Sequence, residues 1–100
     1  MVKLIAMYKK PQDAATFEQV YFGEHIPQTK KMPGLRRVES DRVAGAPMGE
    51  PEYHLVAGLY FDDMDALNAA MASDEGRTAA RSLRKLGAEV SMLTANVEEA

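Results

Sequence analysis

The stretch Tyr53–Phe61, YHLVAGLYF, carries no acidic residue, lysine or arginine and is built of aromatic, β-branched and small side chains. A run of that kind reads as a central strand of a sheet. Its alternating sets are Tyr53, Leu55, Ala57, Leu59 and Phe61 on one side, and His54, Val56, Gly58 and Tyr60 on the other. The run Val2–Lys9 behaves alike: Val2, Leu4, Ala6 and Tyr8 alternate with Lys3, Ile5, Met7 and Lys9. A sheet with helices on one side should alternate cleanly, with polar residues on its open face, and these two strands do not. Neither face of the central strands reads as freely solvated, so a second cover is expected; the alternative is a monomer that leaves some apolar residues exposed.

The remaining segments fix the order of elements. Asp13 is placed to cap a helix that starts at Ala14 and carries Phe17, Val20, Tyr21 and Phe22. Pro27 restricts Ile26 and disfavours regular helix, leaving room for a kinked turn. Pro33-Gly34 punctuates a turn, and Leu35–Val43 reads as a second strand rich in charge. The segment GAPMGEP is a loop by composition. Asp62-Asp63 can cap a helix with Met64, Leu67, Ala70 and Met71 on one face. Ser73 restarts a helix that runs to Leu86 and stops at Gly87, and Val90–Val97 is the last strand. Glu98-Glu99-Ala100 reads as a frayed tail.

The order β-α-β-β-α-β, with short connections and right-handed crossovers, gives an α+β fold of ferredoxin-like type. Four antiparallel strands carry both helices on one face, in a single domain over residues 1–100. The simplest cover for the other face is a second copy of the same sheet, so a homodimer is expected.

Composition narrows the function classes. A net charge of −3 argues against a nucleic-acid binder. The basic pairs Lys30-Lys31 and Arg36-Arg37 read as a solvated rim. No apolar run is long enough to span a membrane or serve as a signal peptide. The sequence contains no cysteine, which excludes thiolate metal sites and a cysteine nucleophile and fits a cytoplasmic protein. With two histidines and no ligand spacing, no metal is expected. No glycine-rich phosphate loop or nucleophile elbow occurs, so no cofactor is expected either.

At about 100° per residue, Ala14, Phe17, Glu18, Tyr21 and His25 share one wide helix face. That face should lie on the sheet and bring an imidazole, a phenol and a carboxylate to the edge of an apolar space. Histidine suits proton transfer near neutral pH, and a phenol can orient it or stabilise a developing oxyanion. The plainer alternative is that His25 bonds a carbonyl beside the Pro27 kink. Phe17, Glu18 and Tyr60 are candidates for binding a substrate, with Tyr60 able to floor a pocket where core packing is the ordinary role. A cross-strand hydrogen bond is the expected employment of His54.

The element order, the Tyr21…His25-x-Pro27 segment, the Pro33-Gly34 turn, the Ser73-Asp74-Glu75-Gly76 helix restart and the opening VKLIAMYKKP together resemble the EthD family. That family is named for ethyl tert-butyl ether degradation and belongs to the dimeric α/β-barrel superfamily. The resemblance spans nearly the whole chain. It implies a homodimer with facing sheets, and a pocket between sheet and helices near the histidine of the H-x-P segment, here His25.

Founding members of the family accompany an ether-degrading cytochrome P450 system. Fungal relatives are linked to dehydration or decarboxylation of polyketides. Neighbouring branches hold cofactor-independent quinone-forming monooxygenases, muconolactone isomerase and haem-degrading monooxygenases. The last rely on a tryptophan that this sequence lacks. The expected function is a metal- and nucleotide-independent enzyme acting on a small apolar or aromatic oxygenated compound, by a dehydratase, isomerase or oxygenase route. The alternative is a non-catalytic binding or accessory protein for an oxygenase pathway.

Overall fold

The computed structural model describes residues 1–99; Ala100, the last residue of the expected tail, lies outside them. The strands are β1 (Val2–Lys9), β2 (Arg37–Arg42), β3 (Tyr53–Phe61) and β4 (Val90–Asn96). They form one sheet in the order β2-β3-β1-β4 with every pairing antiparallel. The helices are α1 (Ala14–Val20), α2 (Ile26–Thr29), α3 (Met64–Ala72) and α4 (Asp74–Ser82), followed by a 3₁₀ turn at Leu83–Lys85. This is the four-stranded antiparallel sheet with helices on one face that the element order predicts. The charged strand is shorter than its sequence run, Arg37–Arg42 against Leu35–Val43. The ladder still reaches one residue further at each end, through Arg36 N–H to Tyr60 O at 2.8 Å and Val43 N–H to His54 O at 3.0 Å.

Caps behave as the sequence requires. The Asp13 carboxylate accepts from the Thr16 N–H, that of Asp63 from the Ala66 N–H, and the Ser73 hydroxyl from the Gly76 N–H. Ser73 therefore closes α3 and opens α4 at one residue. Gly76 is what lets the two helices meet there. A Cβ on it would stand 2.2 Å from the Ala70 carbonyl oxygen.

Between α1 and α2 the helix widens into a π turn at Tyr21–His25, in which the Ile26 N–H donates to the Tyr21 carbonyl five residues back. Pro27 explains the widening. It offers no N–H to the Gly23 carbonyl, and in a regular helix its ring would press on that carbonyl. One extra residue in the turn relieves both problems, and helix resumes over Pro27 instead of ending before it.

The core lies between the sheet and the helices. Val2, Leu4, Ala6 and Tyr8 of β1 and Leu55, Ala57, Leu59 and Phe61 of β3 meet Phe17, Tyr21, Leu67, Ala70 and Ala79. On the opposite face, Ile5 stands between Gly58 and Leu93, and Met7 between Val56 and Ser91. Ile5, Met7 and Val56 are half-buried there, and Leu93 is 45% exposed. The apolar second face predicted from the alternation is thus present, and no helix or strand among the described residues packs over it.

Candidate functional site

The π turn carries Tyr21 and His25 inward, and both are buried. Their rings touch, with centroids 5.6 Å apart. Nδ1 of His25 lies 2.6 Å from the Ser82 hydroxyl of α4, which itself donates to the Ala79 carbonyl at 2.7 Å. Because the single Ser82 proton goes to that carbonyl, Ser82 accepts from His25, and the imidazole carries its proton on Nδ1. Nε2 is left as an acceptor with no partner among the described residues. The backbone around the ring is tied as well, since the Thr29 hydroxyl donates to the His25 carbonyl at 2.8 Å.

Burial pushes the His25 pKa below the ordinary histidine value. The nearby Ala79 carbonyl and the Glu24 charge oppose that shift without reversing it. The ring is therefore neutral at neutral pH.

His25 borders a cavity of about 120 Å³ between the sheet and the α2 and α4 helices. Leu4, Ala6, Leu59, Met71, Ala79 and Leu83 supply apolar walls; Met92, 42% exposed on the edge strand β4, marks its outer side. The polar side chains at its wall are His25, Thr29 and Tyr8.

The other sequence candidates are placed elsewhere. Tyr21 turns its hydroxyl to Ser40 of β2 at 2.7 Å. Its ring stacks on Phe17, with centroids 5.5 Å apart and planes 7° from parallel. Phe17 is fully buried and meets His54 edge to face at 5.0 Å. Glu18 accepts from Arg42 Nε and Nη2 at 3.0 and 2.8 Å and pairs with His54 Nε2 at 3.3 Å. Burial raises its pKa, but Arg42 and His54 together outweigh that and leave the carboxyl below its ordinary value. Tyr60 lies on the opposite face of the sheet, where its hydroxyl donates to Glu39 at 2.7 Å. The structure thus brings Phe17, Glu18 and Tyr21 into one cluster with His54, leaves Tyr60 apart, and lines the cavity with His25 alone of the five.

Tyr8 and Ser82 are the residues that sequence reasoning passed over. Tyr8 ends the inward-facing set of β1, so alternation marks it as core. Ser82 sits on the face of α4 shared with Ala79, and nothing local ties it to a histidine 57 positions away. Among the described residues no three His, Asp or Glu side chains converge as a metal-binding group. No helix is long and apolar enough to cross a membrane.

Comparison with known proteins fits this geometry. The chain is 37% identical to an EthD family protein from Bacillus halodurans of solved structure, with a TM-score of 0.92 over 98% of this chain and 99% of that one. An uncharacterised 11.0 kDa protein from the thcB–thcC intergenic region of Rhodococcus erythropolis is 29% identical over 80 residues, which is 80% of this chain and 78% of the relative. Two more distant structures share the fold. SnoaB of Streptomyces nogalater, described as a cofactor-independent oxygenase, matches at a TM-score of 0.74 and 20% identity over 99% of this chain and 94% of that one. A ferredoxin-like protein of unknown function from Thermobifida fusca, described as dimeric, matches at 0.72 and 16% over 96% and 90%. The family model described as EthD domain matches residues 9–84, and the chain belongs to the EthD family.

Proposed function

We propose that the protein is an enzyme that moves a proton on a small oxygenated molecule held in the cavity, with His25 Nε2 as the base and no metal or nucleotide taking part. The observation that carries this reading is the 2.6 Å contact of His25 Nδ1 with Ser82, whose hydroxyl also reaches the Ala79 carbonyl. An imidazole whose Nδ1–H is committed to Ser82, and whose ring is kept neutral by burial, presents a basic nitrogen beside an apolar space. Tyr21 then acts as a positioning residue, its ring packed against the imidazole. Phe17 and Glu18 support that ring from behind through stacking and the His54 contact.

Dehydration, isomerisation and oxygenation of an activated carbanion all begin with such a proton abstraction. The cofactor-independent oxygenase description of SnoaB belongs to that protein and is compatible with this reading. A second reading, a carrier in the cytoplasm for a pathway partner, needs the same cavity without a base; the nearly apolar wall favours it.

We further infer a homodimer in which the half-buried faces around Ile5, Met7 and Val56 meet, since no helix or strand among the described residues covers that surface.

The test is His25→Gln. Native mass spectrometry against extracted metabolites identifies a bound compound, and its turnover is then compared between the two proteins. Turnover lost with the fold retained supports the base, whether or not the compound binds more weakly. Binding by both proteins with turnover by neither supports the carrier.

A further inference from the structure

His25 is one of two cavity polar groups left open to an occupant. Tyr8 lines the same space, is 1% exposed, and makes no hydrogen bond through its hydroxyl to any described residue. Its ring is held edge-on by Phe17 and Tyr21, each with centroids 5.5 Å away. The hydroxyl therefore has little lateral freedom. The Tyr21 phenol differs, being committed to Ser40. Thr29 differs as well, since its proton goes to the His25 carbonyl.

Burial, and secondarily the neighbouring Tyr21, push the Tyr8 ionisation upward, so the hydroxyl keeps its proton and remains a donor. The hydroxyl is open to the cavity, where an occupant that brings an acceptor can pair with it in place of water.

We propose that Tyr8 is a ligand-binding residue: its hydroxyl donates to an oxygen of the occupant while His25 Nε2 accepts that occupant's proton. The inference rests on the reading of His25 given above and names the ligand class. A phenol or an enolisable carbonyl compound satisfies both groups, since its oxygen accepts from Tyr8 and its O–H or α C–H faces His25. No lysine or arginine lines the cavity, so a carboxylate or phosphate would enter without a counter-charge. At about 120 Å³ the space is slightly smaller than the cavity of about 150 Å³ that accepts benzene in an engineered protein core. The part of the ligand held inside the cavity is therefore neutral and about the size of one ring or a branched alkyl group.

Phenol and toluene, near-isosteric probes that differ in the hydroxyl, test this by calorimetric or NMR titration. Wild type is expected to bind phenol more tightly than toluene. Tyr8→Phe, which keeps the ring packing, should weaken phenol by roughly three- to tenfold and leave toluene within about twofold. His25→Gln reports on the underlying reading and should also weaken phenol. Unchanged phenol affinity in Tyr8→Phe beside weakened binding in His25→Gln overturns the role of Tyr8 and leaves His25 standing. Weakened binding in Tyr8→Phe alone overturns the pairing with His25 around one ligand. Equal loss of phenol and toluene in Tyr8→Phe means a packing role and overturns the inference. Wild type that binds phenol no better than toluene, or neither, overturns both.

Discussion

Gly76→Ala isolates the contact on which the helical layer depends. In most helices this change stabilises by about 1 kcal/mol, because alanine is the better helix former. Here the added Cβ would lie 2.2 Å from the Ala70 carbonyl oxygen, 2.9 Å from that of Met71 and 3.0 Å from the Met71 carbonyl carbon. These are backbone atoms, which cannot swing aside as a flexible side chain can. The start of α4 must back away from the end of α3 by about an ångström to restore ordinary contact distances. Overpacking of this kind costs about 1–3 kcal/mol. The shift also loosens the 3.0 Å bond from the Gly76 N–H to the Ser73 hydroxyl, a cap worth about 1 kcal/mol. Setting the propensity gain against the two losses leaves a net destabilisation of about 1–3 kcal/mol. For a domain of this size that lowers the melting temperature by roughly 5–20 °C. The assay is a thermal melt at fixed protein concentration, with Gly23→Ala as the control. Gly23 lies in the π turn with nothing within 4 Å of an added Cβ, so that variant should melt at or slightly above the wild-type temperature. A Gly76→Ala protein that melts as high as Gly23→Ala would refute the close-contact account of the α3–α4 junction.

Two further outcomes follow from the same contacts. Since the folded-state pKa of His25 is depressed, the unfolded chain binds the proton more readily, and stability is complete above the ordinary histidine range and declines as pH falls below it. Wild type should therefore lose more melting temperature than His25→Gln between pH 8 and pH 5, a window chosen above the range in which Asp13, Glu39 and Asp62 titrate; equal slopes would remove the buried neutral imidazole. For the homodimer, light scattering should give about twice the 11.0 kDa chain mass for wild type and a single chain mass for Ile5→Lys, whose charge falls between Gly58 and Leu93 on the open face. A monomeric wild type at micromolar concentration would sink that inference.

The strands were legible because their signals are local. Val2–Lys9 and Tyr53–Phe61 declare themselves by alternation and composition, and their observed bounds match the sequence runs. The three caps follow from residues within one turn of each helix start. The path through Pro27 was less legible. A proline states that the regular ladder breaks, while the choice between a helix end and a widened turn depends on burying Tyr21 and His25 against the sheet. Site chemistry was the least legible because its hydrogen bonds join distant segments. The Tyr21 hydroxyl faces Ser40, 19 positions away, and His25 faces Ser82, 57 positions away. Helix periodicity puts Tyr21 and His25 on one face and cannot say which strand or helix each polar tip will reach.

Those two partners give neighbouring side chains of one helix turn different physical roles. Tyr21 lies over β2 and β3, where Ser40 supplies a hydrogen-bond partner, and its phenol becomes part of the sheet-to-helix packing. His25 lies one turn further along, under α4, where Ser82 engages a single ring nitrogen. The π turn lies between these environments, and Thr29 anchors the carbonyl at its far end. Pro27 therefore acts on the site through the backbone, by breaking the regular ladder where the turn that carries His25 widens. A proline two residues after the histidine breaks the ladder at this bend, and burial of Tyr21 and His25 against the sheet completes it, so the spacing His25-x-Pro27 marks the bend more specifically than either residue alone.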